Sequence, residues 1–242
     1  MPADAAYCSA CGQQAVGDNT FGHFLHQFLG DYFTFDSKII RSLRPLVLQP
    51  GELALEYMRG RRQRYIPPVR MFIFLSVLFF LVMGWGGTAA AGTDDAVLRE
   101  RIFWDRFFTG VLPKLFFLFL PIFAGLVHLL HREKPGTFVK PFVFSAHFHA
   151  FVFLVFAAFG AVSRLFVKLH LVVVNQWLLI ALALWMAAYL YLALRRAFPK
   201  GLGHQLAAWL GLGVLYLAVL AGGAIGALWV LAYRSGPISF GS

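Results

Sequence analysis

Long apolar runs separated by short charged connections dominate the chain from Met71 onward. Five runs read as membrane-crossing helices: Met71 to about Trp85, Val111–Leu130, Pro141–Val162, Leu171–Leu194 and Leu206–Tyr233. Most of them approach the roughly 20 residues that a helix needs to cross the hydrocarbon layer. The first is short, and it needs either a start near Tyr65 or a locally thinned bilayer. The pattern predicts an all-α, polytopic membrane protein with about five transmembrane helices over residues 65–242. A short N-terminal cytoplasmic head, residues 1–64, precedes them.

Weaker periodicities organise the rest. Phe21, Phe24, Leu25, Phe28 and Leu29 recur at helical spacing with His23, His26 and Gln27 on the other face. That is an amphipathic helix, which either lies in the membrane interface or packs on the head. Ser37 is placed to cap a helix running through Leu43, limited by Pro45. Pro50-Gly51-Glu52 opens another short helix that stops near Gly60, a residue suited to a helix C-terminus. Asp94 to Phe108 is charged and aromatic, the pattern of an interfacial helix. Pro121 falls inside the second run and predicts a kink. In the last run Ala218, Gly222 and Gly226 form a small-residue stripe that would let a neighbouring helix come close.

Composition agrees with lipid as the solvent. Of 242 residues 60% are apolar, 17% aromatic and only 13% charged, against about 25% charged in an ordinary soluble domain. The formal net charge of +10 raises nucleic acid as a partner. That reading is set aside, because the lysines and arginines lie in the connections, where they set orientation and meet headgroups. With the N-terminus inside, 14 of the 21 basic residues (8 up to Arg70, then Arg132, Lys134, Lys140, Arg195, Arg196 and Lys200) are cytoplasmic and 7 are outside. The expected topology is N-in and C-out. Met1–Ala6 lacks the basic and apolar regions of a signal peptide, so no cleaved leader is expected.

Several stretches resemble a known family. They are Tyr7-Cys8-Ser9-Ala10-Cys11-Gly12-Gln13, Phe33-Thr34-Phe35-Asp36-Ser37-Lys38, Pro50-Gly51 and the run from Tyr65-Ile66-Pro67-Pro68 to Ser76. Phe144-Ser145-Ala146-His147-Phe148-His149-Ala150-Phe151 looks like a further motif of the same group. The chain is identified through them as similar to the bacterial "domain of unknown function 3667" family of small membrane proteins. The resemblance implies a zinc-ribbon-like head, a helical membrane part and a place in the bacterial inner membrane, and it supplies no activity. Members usually carry two C-x-x-C turns, whereas this sequence has one. A start upstream of Met1 or a ribbon reduced to a single turn would each account for the difference.

Three groups of residues carry candidate chemistry. Cys8, Cys11, His23 and His26 are four nitrogen and sulfur donors of the kind zinc takes in a tetrahedron, which makes zinc the candidate cofactor. The alternative is a vestigial knuckle with solvated histidines. His128, His131, His147 and His149 fall near the cytoplasmic ends of the second and third runs. At 1.5 Å per residue, His147 and His149 sit roughly 9–12 Å inside the end at Pro141. Two residues apart on a helix, they face different ways, so a metal or haem would need one of them together with His128. Other roles are a proton relay or substrate contact, or neutral rings hydrogen-bonded to a neighbouring helix. Finally, Arg59, Arg61, Arg62, Arg64 and Arg70 form a collar at the first run. Juxtamembrane cations of this kind contact anionic phospholipid headgroups at about 1 kcal/mol each, or simply fix topology.

Nucleophile elbows, phosphate-binding glycine loops, H-E-x-x-H and intramembrane aspartate pairs are missing from the sequence. The expectation is a non-enzymatic, structural or regulatory membrane protein whose head binds zinc or a partner. A small transporter or channel using the intramembrane histidines is the alternative, and self-association into a homo-oligomer stays open.

Overall fold

The computed structural model describes residues 37–61, 64–84, 102–104, 106–131 and 138–235, and among these residues there are helices and tight turns but no strand. In chain order the helices are α1 (Ser37–Leu48), α2 (Glu52–Met58), α3 (Pro68–Gly84), α4 (Leu112–His131), α5 (Val139–Lys168), α6 (Val172–Ala197) and α7 (Leu202–Ser235). A π-helical turn, Arg106–Val111, leads into α4. Helices α4 to α7 are each long and apolar enough to cross a membrane, and α3 is a shorter apolar helix of 17 residues. The all-α polytopic architecture is therefore as the hydropathy pattern predicts. Connections alternate between the two ends of the bundle. Helices α3 and α5 start, and α4 and α6 finish, at the end where α1 and α2 lie, called here the hairpin end.

The closest helix pair is α3 with α5. On α5 the facing positions are Ala146, Ala150, Phe153, Ala157 and Gly160, a seam of mostly small residues at alternating spacings of four and three. On α3 the buried side chains Met71, Phe72, Leu75 and Ser76 are the matching face. Gly160 leaves room for the Met83 side chain, which a β-carbon there would strike. Between membrane helices such small residues serve because packing, rather than expulsion of water, drives association. Aromatic rings fill what remains. Phe153 meets Phe72, Phe79 and Phe116 at centroid distances of 5.5, 5.4 and 4.9 Å, so a single ring ties α3, α4 and α5 together.

Helix α3, of 17 residues, receives hydrogen bonds from a neighbouring helix at its far end. Arg164 of α5 donates to the carbonyls of Val82 and of Met83, the latter at 3.0 Å. The last carbonyls of a helix have no intrahelical partner, and in lipid they have no water either. One guanidinium serves two of them.

Helix α5 ends in a Schellman turn. The N–H of His170 donates to Val167 O (3.1 Å) and that of Leu171 to Phe166 O (2.8 Å), with His170 left-handed at φ 56°. At the hairpin end, Gln205 is buried between α6 and α7. Its amide, in the orientation that satisfies both groups, donates to Phe198 O (3.2 Å) and accepts from the N–H of Arg195 (3.1 Å).

Two expectations need revision. Pro45 does not limit α1, which runs on to Leu48 with Gln49 N–H bonded to Pro45 O at 3.0 Å. A proline removes one donor and crowds one carbonyl, and a helix pinned on one face by other contacts absorbs that cost. The stripe of Ala218, Gly222 and Gly226 is exposed, and among the described residues nothing lies close to where a β-carbon on Gly222 or Gly226 would stand; a close approach on α7 is at Gly223, over Phe119.

Arg164→Leu is expected to lower stability by roughly 1.5–3 kcal/mol, the worth of hydrogen bonds from a charged donor, with Arg164→Lys intermediate; thermal unfolding in detergent measures both. His170→Gly should raise stability by about 1 kcal/mol in the same assay, because glycine removes the left-handed penalty.

Candidate functional site

Helices α1 and α2 are not a free-standing head. They form a hairpin seated across α5 and α6, and its side chains Leu46, Leu53 and Ala54 enter the same core as Phe144, Phe148, Tyr189 and Ala193. Three contacts hold it. The Tyr189 hydroxyl donates to Leu46 O at 2.5 Å. Glu52 pairs with Arg196 at 3.5 Å. Gly51, the residue before α2, is left-handed at φ 78°, and a β-carbon there would lie 2.6 Å from Ala193 O. Glycine is required at that position twice over, for its backbone angle and for the lack of a side chain. A fourth contact reaches the segment leading into α3: the N–H of Ile66 donates to Ser42 Oγ at 3.0 Å, while Ser42 itself donates to Lys38 O.

Beneath the hairpin is a small cleft lined by Pro45, Gln49, Phe144, His147, Phe148 and Tyr189, among others. His147 lies 3.0 Å from Val143 O through Nδ1. A carbonyl only accepts, so Nδ1 carries the proton and Nε2 is the lone-pair nitrogen. His149, two residues on, faces away from the hairpin. Its Nδ1 donates to Ser145 O at 2.8 Å, and its Nε2 accepts from the Tyr216 hydroxyl of α7 at 2.5 Å. Ser145 Oγ donates in turn to Leu120 O of α4 at 2.8 Å. This chain links α7, α5 and α4 through fully partnered groups inside an apolar bundle. Phe123 and Phe72 close over the His149 ring edge-on, at 5.2 and 6.3 Å.

The remaining histidines are dispersed. His128 packs near Phe138 at 6.1 Å, and its Nδ1 is buried with no hydrogen-bond partner among the described residues. His131 is buried between Phe198 at 5.1 Å and His204 at 5.9 Å. Among the described residues no three of His, Cys, Asp and Glu are gathered as a metal site. Cys8, Cys11, His23, His26 and Arg62 lie outside the described residues.

The arginine collar is partly spent on a carboxylate. Helix α2 ends in its own Schellman turn, with Gly60 at φ 84° and Arg61 N–H bonded to Glu56 O at 3.0 Å. That turn folds Arg61 back so that its guanidinium grips Glu56 through both carboxylate oxygens, one at 2.6 Å. Arg59 adds a contact at 3.5 Å. Arg61, and secondarily Arg59, hold the buried Glu56 carboxyl below its ordinary 4.5 despite desolvation. Arg64 lies over the Tyr65 ring at 5.5 Å. Sequence reasoning singled out neither Glu56 nor the two tyrosines. The legible signal for Tyr189 and Tyr216 is a hydroxyl inside an otherwise apolar run, where it must find a partner.

Compared with known proteins, residues 36–80 match the model of a family described as "Protein of unknown function (DUF3667)", which supports the family resemblance drawn from the motifs. The matched stretch is the hairpin with most of α3. No curated protein and no solved structure matches the chain.

Gly51→Ala is expected to cost more than Gly60→Ala in thermal unfolding. The backbone penalty, roughly 1–3 kcal/mol for a non-glycine residue held left-handed, applies to both, and only Gly51 also meets a neighbouring backbone. The lowered Glu56 pKa stabilises the fold above 4.5 and that contribution is lost as pH falls through the lower folded value. The stability gap between wild type and Glu56→Gln should accordingly hold steady at neutral pH and shrink in acid, as pH-resolved unfolding would register.

Proposed function

Taking a membrane protein of the DUF3667 family as the premise, we propose a non-enzymatic, structural or regulatory role at the cytoplasmic face of a bacterial inner membrane. The observation that carries the reading is the hairpin clamped across α5 and α6 by Tyr189, Gly51 and Glu52. The segment bearing Cys8, Cys11, His23 and His26 directly precedes that hairpin in sequence, and in this reading the hairpin is its rigid platform. In this reading the segment binds zinc or a protein partner, with zinc ordering a chain too short to bury a core of its own. The excess of Lys and Arg in the connections at the hairpin end supports N-in orientation.

The histidine chain supports a packing role over a transport path. His149 Nε2 is taken up by Tyr216, and a polar group so engaged stabilises helix contacts by about 0.6 kcal/mol on average.

Elemental analysis of detergent-purified protein tests the proposal. The expected result is about one zinc per chain, lost in Cys8→Ser. Zinc that survives Cys8→Ser but disappears in His128→Ala would move the site into the membrane and overturn the platform reading. Protein free of metal would leave partner binding alone, to be sought with the hairpin intact and with Gly51→Val.

A further inference from the structure

We propose that α1 is an interfacial helix whose outer face, Arg41 and Arg44 flanked by Ile40 and Leu48, binds anionic phospholipid headgroups. The inner face of α1 is occupied by protein. Ser42 and Leu46 are buried, Ser42 accepting from Ile66 and Leu46 from Tyr189. The outer face carries Ile40, Arg44 and Leu48 in one row at i, i+4 and i+8, with Arg41 beside it. Ile40 is 73% and Leu48 67% exposed, and both arginines are exposed as well. Water solvates the two cations but not the two aliphatic side chains, and acyl chains do the reverse. The boundary between headgroup and acyl layers accommodates both kinds, with the arginine stems reaching toward phosphate.

Position and charge agree with that occupant. Ser42 is hydrogen-bonded to Ile66, two residues before the apolar helix α3 begins at Pro68, which sets the middle of α1 level with the end of a lipid-facing element. The charge is available, too. Arg59 and Arg61 are paired with Glu56 and Arg196 with Glu52, whereas Arg41 and Arg44 have no ionic partner among the described residues. The lipid contact thereby shifts from the collar after α2 to a helix before it. This inference does not rest on the zinc reading.

The test is native mass spectrometry of the full chain released from mixed phosphatidylglycerol and phosphatidylcholine micelles. Wild type is expected to retain phosphatidylglycerol preferentially. Each of Arg41→Gln and Arg44→Gln should lower the ratio of bound phosphatidylglycerol to phosphatidylcholine about fivefold, and the pair roughly thirtyfold. Arg59→Gln, which leaves the Arg61–Glu56 clamp in place, should change it by about twofold or less. The charge-conserving Arg41→Lys with Arg44→Lys pair should keep most of the preference, which separates lost charge from lost folding. Equal retention of the two lipids, an unchanged ratio in the Arg41→Gln, Arg44→Gln pair, or a loss in Arg59→Gln as large as in either single α1 variant would overturn the proposal and leave the face to a protein partner.

Discussion

Lipid offers no hydrogen-bond partner, so polar groups inside this bundle are satisfied by the protein itself wherever they are satisfied, and the buried Nδ1 of His128 is an exception among the described residues. Arg164 supplies partners for the end of α3, Gln205 for the connection between α6 and α7, and Ser145, His149 and Tyr216 for one another. Each of these bonds runs between helices, so satisfying the local demand also fixes which helices are neighbours. The small-residue seam of α5 has the complementary task. It brings α3 close enough that dispersion contacts accumulate where no water remains to be expelled. Hydrogen bonds choose the partners and the seam supplies the contact.

The hairpin at one end of the bundle follows the same logic. Its inner face is fastened by a tyrosine, a glycine and an ion pair, and its outer face mixes cations with aliphatic side chains. Glu56 is buried there only because Arg61 turns back onto it, and that return depends on the left-handed Gly60. Backbone geometry, charge pairing and burial are thus one arrangement. A collar that reads in sequence as a row of free cations is in part an internal clamp.

How far this was legible differs from element to element. The four long helices follow directly from the apolar runs, since each must cover the hydrocarbon layer by itself. Gly60 announces the end of α2 because glycine is the residue for a left-handed cap, whereas His170 forms the same turn on α5 without any such signal. Pro45 points to a helix end that the structure does not have, because contacts from Ile66 and from Tyr189 of α6 outweigh its local cost. The different facing of His147 and His149 follows from helical periodicity alone. Their partners do not: Val143 and Ser145 are a turn away, but Tyr216 is 67 residues distant, and nothing local in the sequence assigns a hydroxyl to an imidazole at that range. The role of Arg164 was hidden for the same reason.

The bond between Tyr189 and Leu46 joins residues 143 positions apart. During synthesis the hairpin is made first, and the surface it sits on does not exist until α6 has followed. At ordinary elongation rates of about 5–20 residues per second, that interval is on the order of ten seconds. Over that time the amphipathic α1 has an apolar face and no bundle to cover it. The clamp on the hairpin therefore closes only after α6 has been made, late in the assembly of the bundle.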